Sequence, residues 1–192
     1  MYKINPFLVI ILFCFGCNND ASTPKPTAYP RLDLPVQKYQ KMAADCPYTF
    51  DVSTIANITH APQANAPAYW YNINYANQQA VIYLTYKPLS SKLELIRATE
   101  DAHKLTFKHT VKASAIEESF INKKENRVYG ILYDVAGNAA SPIQFFVTDS
   151  NRHFLSAALY FNASPNADSI APVVQYFKQD IMQLIDSFEW RN

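Results

Sequence analysis

Apolar and polar residues along this chain alternate, then cycle with a longer period, then alternate again. Alternation marks strands, because successive side chains of a strand point to opposite faces, and recurrence every three to four residues marks helices. The run "YWYNINY" places Tyr69, Tyr71, Ile73 and Tyr75 on one face and Trp70, Asn72 and Asn74 on the other. "AVIYLTYK" follows within a few residues, so the pair predicts a hairpin. Weaker strand signals precede it in "PYTFDV" after Pro47 and in Ile55 to His60. From Leu89 to about His109 the period lengthens, with Leu95, Ala98, Ala102 and Leu105 on one stripe. Ser90 or Ser91 caps this helix, and Glu94 stands where a capping box places it relative to Ser91.

Four strand-like runs come next: Ala115 to Asn122, Arg127 to Val135, Ser141 to Asp149 and His153 to Phe161. Their short connections, "KKEN", "AGNAA" and "SNR", predict antiparallel neighbours, since parallel strands need long crossovers. The last two runs are apolar on both sides, as central strands are. A closing helix carries the strongest signal, with Ile170, Val173, Val174, Phe177, Ile181, Leu184, Ile185 and Phe188 on one stripe. Asp168 or Ser169 is its expected cap, and Pro172 falls in its first turn, where a missing N–H does no harm. Each large apolar side chain contributes roughly 1.5–3 kcal/mol when fully buried, so removing the chain from Asp168 onward should unfold the domain. Strands, helix, four strands, helix is the order of an α+β fold, a mostly antiparallel sheet covered by helices. In layout, and in the closing "DSFEW", it resembles the Mog1/PsbP sandwich.

The amino-terminal pattern is of another kind. Met1, Tyr2 and Lys3 precede an uncharged stretch from Phe7 to Phe15, followed by Gly16 and Cys17. A basic start, a short apolar core and a small residue before a cut site make a secretory signal peptide. The apolar run falls well short of the roughly 20 residues needed to span a bilayer as a helix. Cys17 after Gly16 resembles a bacterial lipobox, in which that cysteine is acylated and becomes the first residue. Phe15 and Cys14 stand where small and aliphatic residues are more usual. The rival reading, a C-x-x-C redox pair, needs a strand-to-helix turn inside a folded domain, and Cys14 and Cys17 lie in an apolar leader. The expected organisation is residues 1–16 as signal peptide, 17–35 as lipidated cysteine and Pro-rich tether, and 36–192 as a single α+β domain. Cys46 is then the one cysteine left in the domain, and no internal disulfide can form.

Composition narrows the chemistry. Hydrophobic residues make up 49% of the chain, with 13 Tyr and 12 Phe, enough for a full core in one domain. With Lys3 in the leader, the remainder balances 16 basic against 16 acidic residues. No net field is left to draw in nucleic acid. Only three glycines occur, Gly16, Gly130 and Gly137, so a P-loop, a dinucleotide fingerprint and a G-x-S-x-G elbow are excluded.

Candidate sites each have a plainer reading. "TDSNRH" offers Asp149, Ser150 and His153 as triad residue types, but residues this close in a turn usually bond to their own backbone. His103 and His109, six apart, fall on different helix faces, as do Asp180 and Asp186, so neither pair has metal-ligand spacing. No catalytic residue, metal site or cofactor is expected beyond covalent lipid on Cys17. Aromatic residues near loops are the best pointer to binding, since aromatics anchor protein interfaces. Tyr29, Trp70, Tyr71 and Trp190 are the candidate interface, with simple coverage of the sheet faces as the alternative.

Five segments carry a wider resemblance: "PKPTAYPRLDLP" after Cys17, "CPYTF", "KHTVKASAI", "SPIQFFVTDSNRHFLSAALYF" and "PNADSIAPVVQYFKQDI". In this order they resemble the gliding-motility lipoprotein GldD family of the Bacteroidetes. The resemblance implies a non-enzymatic, lipid-anchored envelope protein needed for gliding and for the associated type IX secretion apparatus. It implies envelope proteins of that machinery as partners, the membrane as an attachment through Cys17, and no small-molecule substrate. The expected location is the outer membrane, facing the periplasm. The alternative kept open is a ligand-binding or hydrolytic lipoprotein acting on a small envelope molecule.

Overall fold

A computed structural model of the chain describes residues 34–108, 112–162 and 167–191. The predicted leader, Cys17 and Tyr29 lie outside the described residues, as do His109 and nearly all of the predicted tether. The described residues belong to one compact unit, Arg31–Asn192.

The architecture is the α+β layout that the hydrophobic pattern predicts. The strands are β1 (Tyr39–Lys41), β2 (Tyr48–Thr49), β3 (Asp51–Ser53), β4 (Asn57–His60), β5 (Tyr71–Tyr75), β6 (Ala80–Pro88), β7 (Ala113–Lys123), β8 (Val128–Gly137), β9 (Ile143–Thr148), β10 (His153–Phe161) and β11 (Glu189–Trp190). The helices are α1 (Lys92–Phe107) and α2 (Ala167–Asp186). Seven strands form one sheet in the order β4-β5-β6-β10-β9-β8-β7, every neighbouring pair antiparallel. After the β5–β6 hairpin the chain crosses through α1 to the far edge and meanders back, so β10 closes against β6. β9 and β10 are thus interior strands, as their two-sided apolar character predicts. Two short ribbons, β1–β3 and β2–β11, complete the set. "PYTFDV" is divided between them at Phe50.

The two sheet faces bury different cores. Ile82 and Leu84 of β6, Phe145 and Val147 of β9, and Leu155 and Leu159 of β10 face α2, which contributes Phe177, Ile181, Leu184 and Ile185. Beneath the short ribbons, the rings of Tyr48, Phe50 and Phe188 stack with centroids 6.0–6.2 Å apart. The opposite face is thinner: Leu89, Tyr133, Phe146 and Phe154 gather under Ala98 of α1. Gly130 permits β8 to pass close to β9, because a Cβ there would lie 1.9 Å from the carbonyl oxygen of Phe146.

Several expectations are corrected at element ends. α1 is shorter than predicted, and Ser91 caps it by accepting from the Glu94 N–H at 3.2 Å. The reciprocal bond of the capping box goes to the Ser90 N–H, at 2.7 Å from Glu94 Oε2. Leu105, expected on the buried stripe, is 56% exposed, and Thr106 is buried instead. α1 touches the sheet along a narrow line, and Ala98, Ala102 and Thr106 continue that line at four-residue spacing. α2 begins at Ala167, which puts Asp168 and Ser169 inside its first turn rather than at the cap. At the other end of α2, Lys123 donates from Nζ to the carbonyls of Ile185, at 3.2 Å, and Asp186. A cation at a helix carboxyl end satisfies carbonyls that have no partner within the helix.

Candidate functional site

One end of the sheet carries a cleft of about 860 Å³ between the β9–β10 turn, the β7–β8 turn and the β2–β11 ribbon. Its construction begins with backbone bends that alternation does not foresee. Tyr69, Arg127 and Ser150 take positive φ values of 77°, 53° and 64°. The bend at Tyr69 ends the strand at Tyr71, so Trp70 does not occupy the second face with Asn72 and Asn74. It packs instead against the same core as Tyr71, and its indole N–H donates to the Tyr86 carbonyl at 2.8 Å. Tyr69 lines the cleft, and its carbonyl accepts from the buried Tyr48 hydroxyl at 2.8 Å.

The β9–β10 turn folds around Asp149. Oδ1 of this carboxylate accepts the backbone N–H groups of Asn151, Arg152 and His153 at 2.9, 2.8 and 2.9 Å. Oδ2 lies 3.6 Å from the Arg127 guanidinium. Burial pushes the Asp149 carboxyl up, but the three backbone donors and the nearby His153 outweigh burial and hold it below its usual value. The plain reading of "TDSNRH" is therefore the realised one: an acidic side chain ties its own turn. Ser150 is exposed and its N–H donates to Thr148 Oγ1 at 3.0 Å. Among the described residues no hydrogen bond joins the Ser150 hydroxyl to His153.

His153 is also committed internally. Its Nδ1 lies 2.7 Å from the Tyr86 hydroxyl, and its ring stacks on Trp190 at 5.1 Å with an interplanar angle of 17°. Burial lowers its pKa; Asp149 works against that, while Arg152 and Arg127 reinforce it. The imidazole is thus neutral at neutral pH, with one nitrogen engaged and one face covered. A general base needs a nucleophile within hydrogen-bond reach, and none is placed for it among the described residues.

The β2–β11 ribbon brings in the remaining wall. Trp190 pairs with Tyr48 and donates from Nε1 to the Arg127 carbonyl at 3.2 Å. Arg191 follows, with its N–H on the Pro47 carbonyl at 2.8 Å and Nη1 on the Ala44 carbonyl at 2.9 Å. Three of the five arginines in the chain, Arg127, Arg152 and Arg191, meet here from three distant segments. Their convergence is absent from the sequence expectation, although "ENR", "SNR" and "WRN" each place an arginine beside asparagine at an element end. Buried Cys46 lines the same cleft as a free thiol, with a pKa raised by burial.

The other candidates lie apart from this arrangement. Tyr71 is half-buried and meets the edge of the His60 ring at 5.6 Å. His103 stacks on Phe107 at 4.2 Å and lies 3.7 Å from Glu118. Asp180 is buried and Asp186 exposed. Among the described residues no group of three or more His, Cys, Asp or Glu side chains could hold a metal ion. None of the described helices is long and apolar enough to cross a membrane.

The chain is similar to the solution structure of cyanobacterial PsbP (CyanoP) from Synechocystis sp. PCC 6803, at 10% identity and a TM-score of 0.49, with 84% of this chain and 97% of that one covered. A search of curated proteins gave no match. The profile of one family, described as gliding motility lipoprotein GldD, matches residues 19–190. That span takes in every described strand and helix, and the chain belongs to the gliding motility lipoprotein GldD family.

Proposed function

We propose that this chain is a non-enzymatic envelope lipoprotein that supports gliding motility and the associated type IX secretion machinery by assembling or stabilising other envelope components. In this reading acyl chains on Cys17 hold it to the outer membrane, with the domain facing the periplasm. The observation that carries the reading is the family match across residues 19–190. The cleft lends support, because Trp, Tyr and Arg are the residue types that dominate protein interfaces. The internal commitments of Asp149 and His153 lend further support, since both groups are occupied in holding shape.

A mild-detergent pull-down of the tagged full chain, with mass spectrometry of its partners and of its amino-terminal peptide, tests the proposal. The expected result is co-purification of gliding and secretion components, with acyl chains on Cys17. Recovery of the protein alone would overturn the assembly role. Cys17→Ala should impair both spreading and secretion, and normal behaviour of that variant would show the anchor to be dispensable. A second reading, a receptor for a small envelope molecule, draws on the volume of the cleft, which lies within the range of ligand pockets. A saturable rise in melting temperature with such a molecule would favour it, because a ligand that binds only the folded state stabilises that state.

A further inference from the structure

The cleft has a nest of backbone donors, and the protein fills that nest itself. Three consecutive N–H groups, of Asn151, Arg152 and His153, converge on Asp149 Oδ1. Such a nest would otherwise suit a compact anion. The Arg127 guanidinium, 3.6 Å from Asp149 Oδ2, is likewise answered by a carboxylate of the same chain. The indole N–H of Trp190 and Nδ1 of His153 are spent on Arg127 and Tyr86. What the cleft still offers is therefore specific: the exposed Arg152 side chain, the guanidinium N–H groups of exposed Arg191 that the Ala44 carbonyl does not hold, neither arginine having a described carboxylate within ion-pair distance, and the aromatic surfaces of Tyr69 and Trp190.

That remainder selects among ligands. A guanidinium presents a planar fork that matches a carboxylate with two parallel hydrogen bonds. Two such forks beside aromatic rings fit a ligand that alternates carboxylates with apolar groups. A compact phosphate fits poorly, because the converging backbone donors that would hold it are already occupied by Asp149. A volume of about 860 Å³ accommodates several residues of an extended chain.

We propose that this cleft docks an acidic segment of an envelope partner protein, its carboxylates on Arg152 and Arg191 and an intervening apolar side chain against Tyr69 and Trp190. The assignment rests on the assembly role given above and supplies the chemistry of the partner.

The test places photo-reactive benzoylphenylalanine at exposed position 151 of the full-length protein in native cells and maps the crosslinked peptide. The expected crosslink falls on a protein segment bearing Asp or Glu. It should be lost in the double variant Arg152→Glu/Arg191→Glu and kept in Arg152→Lys/Arg191→Lys. It should return to the glutamate variant when the partner's acidic residues are changed to lysine. An unchanged melting temperature certifies that both variants fold. The docking assignment is overturned by a crosslink to lipid, by a segment without acidic residues, by no crosslink, or by a yield that charge reversal leaves intact. Competition by inorganic phosphate, but not by chloride of equal ionic strength, would also overturn it. If gliding and secretion components still co-purify in those cases, the docking site is wrong and the assembly role stands. If they do not, the assembly role falls.

Discussion

Asp149 under the cleft and Asp180 on the inner side of α2 are almost equally withdrawn from water, at 7% and 4% exposure, yet they ionise in opposite directions. Asp149 is held below its usual value because burial is outweighed by three backbone donors and by His153. Asp180 is raised by burial, and the side-chain donors around it, Tyr39, Tyr75 and Gln37, offset only part of that. Its Oδ1 accepts from the Tyr39 hydroxyl and from Gln37 Nε2, each at 2.9 Å. Oδ2 is sealed from solvent without a partner of normal geometry, although the Tyr75 hydroxyl faces the carboxylate. The lesson concerns the donors rather than the depth. Backbone N–H groups fixed by a tight turn and backed by a cation stabilise charge, whereas neutral side chains spread over three segments leave burial in control.

The sharpest way to break this contrast is to delete the anion that organises the turn. Asp149→Ala leaves three N–H groups facing nothing, and it should lower unfolding free energy by about 3 kcal/mol in urea titration. A loss near zero would mean that water replaces the carboxylate freely. Asp180→Asn should act in the reverse direction, raising stability at neutral pH by roughly 1–2 kcal/mol, because it removes a buried group that resists ionisation.

The same pair separates in pH. For Asp180, whose folded value is raised, stability is fully present below the ordinary carboxyl range and is lost as pH rises towards the folded value. For Asp149, whose folded value is depressed, stability is present above that range and is lost as pH falls through the folded value. Melting temperatures across acid to neutral pH should therefore lose their decline on the alkaline side in Asp180→Asn. They should lose part of the steep acid side in Asp149→Asn. Identical curves for both variants would end the contrast.

Smaller effects sharpen it. Tyr39→Phe removes one donor to Asp180 and should cost about 1 kcal/mol, with a smaller loss in an Asp180→Asn background, where the amide oxygen still accepts but carries no charge. Arg127→Gln should cost no more than about 0.5 kcal/mol in the same titration, since its side chain is 62% exposed and its partner is already held by the turn.

The sheet and its helices were legible because β6, β9, β10 and α2 repeat their apolar positions over long stretches. The cleft was only partly legible. Trp190 was a candidate from its residue type, but the pairing of two-residue β11 with two-residue β2 carries no periodic signal. Tyr69 and Arg127 line the cleft through left-handed backbone at residues other than glycine, and composition does not flag such bends. Arg191 and Ala44 are joined across 147 positions, a distance over which local pattern says nothing. The triad letters in "TDSNRH" were legible for the opposite reason: so short a turn uses its polar groups on itself.

The pairing of β11 with β2 also bears on timing. During synthesis the seven-stranded sheet and α2 are complete before residues 189–191 appear, and domains fold as their segments become available. A chain stalled ahead of β11 can gather much of its core yet has no Trp190 against His153 and no Arg191 against Ala44. If the cleft docks a partner as proposed, a copy that stops short of that strand presents Tyr69 and Arg152 but lacks the Trp190 and Arg191 that complete the surface.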